Sequence, residues 1–261
     1  MRLRATIAYD GTDFLGWQSQ AGHGPTVQEA IERALSTVLR QEVRVNAAGR
    51  TDTGVHATGQ VIAFDVAGEP YAADAAAGPG GRAPIDALLR SANAVLPASI
   101  ALRELRVASP DFSPRHHAVR RAYRYRIWNS PVRSPFEART SWQVRERLDE
   151  QAMGRAAGSV VGEHDFASFQ GTDNVPRTSL RRVESCAVAR EGERLEVTIV
   201  ANAFVRHMVR NLVGELVEIG LGRRPVGDLA RLLAARDRTL APAPAPPLGL
   251  FLERVDYAED R

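Results

Sequence analysis

The residues best suited to chemistry lie in one segment, 48–57, which reads Ala-Gly-Arg-Thr-Asp-Thr-Gly-Val-His-Ala. Asp52 stands between two glycines, with Arg50 before it and His56 after it. Glycines permit tight turns that leave room for a ligand, and a nearby arginine favours the ionised form of a carboxylate. The segment is therefore a candidate catalytic loop, in which Asp52 acts as a nucleophile or a general base.

Two other interpretations of this loop follow from its residue types. Aspartate commonly binds backbone N–H groups in turns, so a purely structural Asp52 agrees equally well with the spacing. Asp52-Thr53-Gly54 is also the tripeptide of aspartic proteases, which need two such aspartates sharing one proton. The sequence contains one Asp-Thr-Gly, and 261 residues are many more than a one-motif protease subunit usually has. A protease is therefore disfavoured.

Hydrophobic periodicity predicts the elements that hold this loop. Thr26 to Glu29 forms a capping box that opens a helix to about residue 40. The other elements predicted in the first half are strands at 3–9, 43–47, 55–66 and 100–107 and a helix from 84 to about 96. Those predicted in the second half are strands at 122–128, 181–190, 195–203 and 250–255 and helices at 146–161, 204–221 and 225–235.

The order of these elements predicts an α+β fold class with two similar, RRM-like α/β lobes and antiparallel sheets. We place the N-terminal lobe at residues 1–107 and the C-terminal lobe at 108–261. An Ala/Gly/Pro-rich stretch without periodicity, at about 70–83, predicts a flexible insertion in the first lobe.

The composition excludes several kinds of chemistry. All 34 basic residues are arginine, so neither a lysine Schiff base nor a phosphate-loop lysine is present. The single cysteine, Cys186, excludes a disulfide framework and a multi-cysteine metal site, and its strand pattern favours the core. No apolar run approaches the roughly 18 residues of a membrane span, and the N-terminus does not resemble a signal peptide. We therefore expect a cytoplasmic protein.

Five motifs in order along the chain resemble those of the TruA-type tRNA pseudouridine synthase family. The loop at 48–57 resembles the family's signature, Gly-Arg-Thr-Asp-x-Gly-Val-His-Ala. The other motifs are Tyr9–Gln18, Phe112–Arg115 with Arg121–Tyr125, Ala203–Asn211, and Asp237–Thr239 with Gly249-Leu250. Their order and number make chance agreement implausible.

The resemblance implies a fold, a reaction and partners. The family's two lobes join their antiparallel sheets into one extended sheet, with the active-site cleft between the lobes. The implied activity is isomerisation of uridine to pseudouridine in the tRNA anticodon stem-loop, at positions 38, 39 and 40. The resemblance further implies a homodimer that needs neither a metal nor another cofactor.

The resemblance also assigns roles to individual residues. Asp52 matches the essential aspartate, for which attack at C1′, attack at C6 and a glycal route all agree with the sequence. Tyr123 matches the tyrosine that stacks on the uracil, and Arg210 the arginine that pairs with the catalytic aspartate. Leu250 matches an apolar residue of the pocket, and we expect Arg50 to act on the substrate side. Without the resemblance, each of these positions equally suits an ordinary strand, helix or loop residue.

Arginines next to aromatic residues suggest how RNA would bind. Arginine pairs with phosphates and stacks on bases, and we expect Arg115, Arg121 and Arg181 to contact RNA. Two alternatives share these features: a non-catalytic RNA-binding protein with two RRM-like lobes, and a pseudouridine synthase acting on another RNA. The first alternative gives no reason for Asp52 between glycines.

Overall fold

A computed structural model describes residues 1–19, 24–68, 71, 84–171 and 178–260. The insertion expected at about 70–83 lies outside these ranges, except for Tyr71. The chain divides into two compact units, and the first contains Met1–Ala118 together with Leu252–Arg261. The second unit contains Val119–Phe251.

In the first unit, the strands and helices occur in the order that the pattern of apolar residues predicts. Its elements are β1 (Arg2–Tyr9), α1 (Val27–Leu39), β2 (Asn46–Ala47), β3 (His56–Asp65), α2 (Pro84–Val95), β4 (Ile100–Val107) and most of β10 (Leu250–Tyr257). The strand order is β4-β1-β3-β10, and β2 pairs with β3. β1 lies antiparallel to both neighbours, and its alternate residues Leu3, Ala5 and Ile7 are buried. The period of two along β1 therefore decides which side chains enter the core.

The second unit also combines a sheet with helices. Its elements are β5 (Ala118–Asn129), β6 (Trp142–Val144), α3 (Glu150–Gly158), β7 (Gly162–Asp165), β8 (Leu180–Glu191), β9 (Arg194–Ala201), α4 (Met208–Gly220) and α5 (Asp228–Ala235). The strand order is β5-β9-β8-β7 with antiparallel pairing, and β6 pairs with β5 in parallel. The α+β fold class is therefore confirmed, and the three-residue β6 adds one parallel pairing to the expected antiparallel ones.

Most predicted elements agree with the structure, and the differences have local causes. The helix expected at 204–221 begins only at Met208, because His207 has a left-handed backbone with φ of 63°. The helix expected at 146–161 begins at Glu150, where the Asp149 side chain accepts from two backbone N–H groups. The strand expected at 43–47 is limited to two residues. β6 and β7 are too short, at three and four residues, to show periodicity.

The C-terminal strand explains where the units divide. Tyr257 donates a hydrogen bond from its hydroxyl to the Pro114 carbonyl at 2.8 Å, and Arg4 pairs with Asp260 at 2.7 Å. The Arg4 guanidinium also lies 4.1 Å from the centre of the Tyr257 ring. These contacts attach residues 252–260 to the first unit, whereas the sequence placed all residues after 107 in the C-terminal lobe.

A carboxyl group is buried within α4. The side chain of Glu215 is fully buried, with Oε2 2.9 Å from Nη1 of Arg224. Its Oε1 has no hydrogen-bond partner among the described residues, and the same arginine also binds Asp228 at 3.1 Å. Burial raises the pKa of Glu215 to about 7, although the Arg224 charge opposes this shift. Glu215 therefore binds a proton more tightly in the folded chain than in the unfolded chain.

This raised pKa predicts a pH-dependent free energy of unfolding. The pKa of Glu215 is 4.5 in the unfolded chain and about 7 in the folded chain, so the folded state binds an extra proton between these values. The free energy of unfolding therefore decreases as the pH rises from 4.5 to about 7. In Glu215→Gln this group cannot titrate, so the free energy of unfolding should decrease by up to about 3 kcal/mol less over this pH range than in the wild type. Urea unfolding between pH 5 and pH 8 measures it, with Glu218→Gln on the same helix as the control. Equal pH slopes for wild type and both variants would contradict the prediction.

Candidate active site

The loop that carries Asp52 connects β2 to β3 and is fixed where it begins. The backbone N–H of Ala48 donates to the carbonyl of Val61 at 2.9 Å. The amide of Gln60, on β3, donates to the carbonyl of Gly49 at 2.7 Å. Both contacts come from β3, so the strand that follows the loop also holds its first residues. Such a loop on rigid strands can place a reactive group accurately.

Asp52 sits in a tight turn of this loop. Its carbonyl accepts from the backbone N–H of Val55 at 3.1 Å, and the residue is half-buried. The preceding Thr51 is buried, and its carbonyl accepts from the backbone N–H of Trp17 at 3.0 Å. The Thr51 hydroxyl lies 2.8 Å from the hydroxyl of Tyr9, the last residue of β1. The backbone on both sides of Asp52 is thus held, and the residue remains partly exposed.

The turn after β1 lies directly against the Asp52 loop. Gly16 has a left-handed backbone with φ of 84°, and a Cβ there would lie 2.8 Å from the Thr51 carbonyl oxygen. It would also lie 3.1 Å from the backbone nitrogen of Thr53. Residues other than glycine are strained at this φ, and the turn and the Asp52 loop are too close at Gly16 to accept a Cβ. Glycine at 16 therefore sets the distance between the turn and the loop.

His56 connects the loop to the turn that follows β1. It is buried, and its Nδ1 accepts a hydrogen bond from the backbone N–H of Gly11 at 3.1 Å. A ring nitrogen can accept only when it carries no proton, so this contact requires the tautomer with the proton on Nε2. The carboxylate of Asp10 lies 3.2 Å from the same nitrogen and would accept a hydrogen bond from it whenever Nδ1 carries a proton. Burial and the contact with Gly11 favour a structural role for His56.

Arg50 is exposed on the same loop as Asp52. Within the part of the chain that the structure describes, its guanidinium forms neither an ion pair nor a hydrogen bond. Arg50 could therefore bind a substrate without breaking an ion pair or a hydrogen bond to any of the described residues.

Tyr123 lies on β5 in the second unit. It is half-buried, and its ring meets that of Phe204 edge to face, with centroids 4.8 Å apart and planes at 77°. Phe204 belongs to the non-helical residues before α4, and the sequence analysis gave it no role in the site. Edge-to-face pairs fix the tilt of a ring, so Phe204 orients Tyr123.

Arg210 and Leu250 are brought to one segment of the second unit. In the first turn of α4, Arg210 donates from Nε to the Ala245 carbonyl at 2.7 Å, and the Ala245 N–H donates to the Arg210 carbonyl at 2.9 Å. The Tyr125 hydroxyl donates to the next carbonyl, that of Pro246, at 2.7 Å. Leu250 begins β10 four residues later and is buried. Residues 245–250 thus link α4 to β5.

Two of the three arginines expected to bind RNA lie at one end of the second unit's sheet. Arg121 on β5 donates to the Asn202 carbonyl at 2.9 Å, and the Asn202 side chain accepts from the backbone of Arg182 at 3.0 Å. Arg181, next along β8, donates to the carbonyls of Thr178 and Leu180. Arg115 belongs to the first unit, where it is exposed.

The described residues contain neither a thiol suited to nucleophilic chemistry nor a cluster suited to a metal. Burial raises the pKa of the Cys186 thiol to about 12, so a reactive thiolate is disfavoured near neutral pH. Within the described ranges, no group of three or more His, Cys, Asp or Glu residues has the arrangement of a metal site. None of the helices in these ranges has the length and apolar character needed to cross a membrane.

Comparison with known proteins supports the resemblance seen in the motifs. A family model described as tRNA pseudouridine synthase matches residues 5–104 and 156–258. The chain is 39% identical over 259 residues to tRNA pseudouridine synthase A of Myxococcus xanthus, covering 99% of this chain and 92% of that protein. It is 44% identical over 258 residues to the protein of the same name from Enterobacter sp., covering 99% and 90%. The chain therefore belongs to the tRNA pseudouridine synthase family.

The contact at Gly16 gives a prediction about the Asp52 loop. In Gly16→Ala, the new Cβ must displace the Thr51 carbonyl, so the free energy of unfolding should fall by about 1–3 kcal/mol more than φ strain alone explains. Gly192→Ala is the matched control, because Gly192 also has a positive φ of 60° but open space around it. Denaturant unfolding measures both variants, and equal losses would show that the turn does not press on the loop.

Proposed function

We propose that this protein is a tRNA pseudouridine synthase that converts uridine to pseudouridine in the anticodon stem-loop, at positions 38, 39 and 40. The observation that carries the proposal is the Asp52 loop, whose backbone is held on both sides and whose sequence resembles the family's signature. We also propose that the protein works as a homodimer in the cytoplasm, without a cofactor.

The reaction is an isomerisation that a carboxylate can promote. The uridine N1–C1′ bond breaks, the base turns, and a C5–C1′ bond forms. The C5 hydrogen leaves as a proton, and N1 takes up a proton in its place. Asp52 acts either as a nucleophile on carbon or as a base on a sugar proton. Nothing is oxidised and no group is acquired, so the chemistry requires no redox or group-transfer cofactor.

The target base must leave the stack of the RNA before it can react. We propose that Tyr123 stacks on the extruded uracil, a contact worth about 1–3 kcal/mol for aromatic residues. Its orientation by Phe204 supports this role. We propose that Arg210, held by the Ala245 carbonyl, and Leu250 bind the substrate in the second unit, and that Arg50 contacts it from the Asp52 loop.

Arg121 and Arg181 are proposed to bind the RNA backbone. Their position at one end of the second unit's sheet supports a shared role, because arginine donates two parallel hydrogen bonds to a phosphate. Arg115 is proposed to add a contact from the first unit. Contacts of this kind recognise the shape and backbone of folded RNA rather than the edges of its bases.

The proposal predicts release of the C5 hydrogen. With tRNA transcripts carrying tritium at C5 of uridine, the wild-type protein should release tritium to solvent, whereas Asp52→Asn should not, because the amide cannot act as nucleophile or base. Asp65→Asn is the control, since Asp65 is an exposed aspartate of the same unit paired with Arg2. Transcripts with positions 38, 39 and 40 replaced one at a time locate the reacting uridines.

Each outcome of this assay distinguishes between functions. Tight tRNA binding by a folded wild-type protein without tritium release would favour a non-catalytic RNA-binding protein. Release from another RNA but not from tRNA would identify a synthase with a different substrate. Release by Asp52→Asn at the wild-type rate would support the synthase activity but show that Asp52 takes no part in the reaction.

A further inference from the structure

The buried contact between Tyr9 and Thr51 connects the end of β1 to the residue before Asp52. Tyr9 is 4% exposed, and its hydroxyl lies 2.8 Å from the hydroxyl of Thr51, which is 7% exposed. The rest of the Tyr9 side chain is fixed independently, since its ring lies 6.2 Å from that of Trp17 and its backbone pairs with Ala57 of β3. Tyr9 is therefore a rigid point from which the loop can be held.

Thr51 is held through both its side chain and its backbone. Trp17 donates its N–H to the Thr51 carbonyl at 3.0 Å, while Tyr9 binds the hydroxyl. The two bonds together restrict the rotation of Thr51 and the direction in which the chain enters Asp52. With only one of them, the threonine side chain could adopt another rotamer and the next residue could turn with it.

We propose that Tyr9 is a positioning residue for catalysis, which acts through its hydrogen bond to Thr51 to hold the Asp52 carboxylate where it reacts. The inference rests on the proposed function and goes beyond it, because it assigns a catalytic consequence to a residue outside the signature loop. Tyr9 does not touch the reacting atoms in this role. Its loss should lower the rate of the chemical step and leave tRNA binding nearly unchanged.

The size of the effect follows from the geometry of catalysis. Displacement of a catalytic group by about 1 Å can cost roughly 100-fold in rate. In Tyr9→Phe the ring and its contact with Trp17 remain, and only the hydroxyl is lost. We expect kcat to fall by roughly 10- to 100-fold while KM changes less than about threefold.

A second buried tyrosine of the same unit provides a matched control. Tyr257 is 1% exposed and donates one hydrogen bond of 2.8 Å, to the Pro114 carbonyl. Tyr257→Phe therefore also deletes a buried tyrosine hydroxyl from the first unit. It should lower the free energy of unfolding by about as much as Tyr9→Phe does, since each variant loses one buried hydrogen bond. Its kcat should stay within about twofold of the wild-type value.

The experiment measures kcat and KM by tritium release for wild type, Tyr9→Phe, Thr51→Val, the double variant and Tyr257→Phe. All proteins are first checked for folding and for tRNA binding. If one hydrogen bond carries the effect, the double variant should be about as slow as either single variant rather than slower by the product. Crystal structures of Tyr9→Phe and Tyr257→Phe should show a displaced Asp52 in the first variant only.

Three results would overturn the inference. One is a folded Tyr9→Phe with wild-type kcat, and another is an equal loss of kcat in Tyr257→Phe. The third is multiplicative losses in the double variant, which would mean that the two hydroxyls act separately. Each of these requires an active wild-type enzyme, whereas a wild type that releases no tritium would overturn the proposed function itself.

Discussion

The position of the Asp52 loop depends on hydrogen bonds from β1, β3 and the turn that follows β1. Gln60 and Val61 of β3 hold the loop where it begins, and Tyr9 and Trp17 hold Thr51. The loop itself has little apolar surface with which to pack. Its conformation is therefore determined by polar contacts with its neighbours, and their geometry is more directional than apolar packing.

This arrangement separates the groups that hold the site from those that can react. His56 and Thr51 are buried and have partners within the first unit, whereas Arg50 is exposed and Asp52 is half-buried. A catalytic carboxylate benefits from this division, because a fixed backbone reduces the entropy lost on reaching the reactive geometry. The same principle applies in the second unit, where Phe204 orients Tyr123 and the Ala245 carbonyl holds Arg210.

The family signature and the geometry support the function in different ways. The matched residues extend over most of the chain, which establishes the family. The structure also explains how particular residues of the motifs position the Asp52 loop. Gly16 allows the turn to approach the Thr51 carbonyl, and Nδ1 of His56 accepts the N–H of Gly11. Through these contacts, both residues fix the position of the loop within the first unit.

The sequence by itself determined the α+β class and most helices and strands, because hydrophobic periodicity and turn residues are local signals. It also singled out the loop around Asp52 as the candidate site. It missed β6 and β7, whose three and four residues are too short for a period to show. It also placed the last strand in the C-terminal lobe, whereas Tyr257 and Asp260 bind residues of the first unit.

Only the tertiary structure decided that Tyr9 binds Thr51 and that Phe204 orients Tyr123. Those partners are 42 and 81 positions apart, and no local pattern encodes which distant side chains will meet. Strand pairing and packing bring them together, because a register fixed by the buried face of a sheet also fixes the neighbours of every polar residue on it.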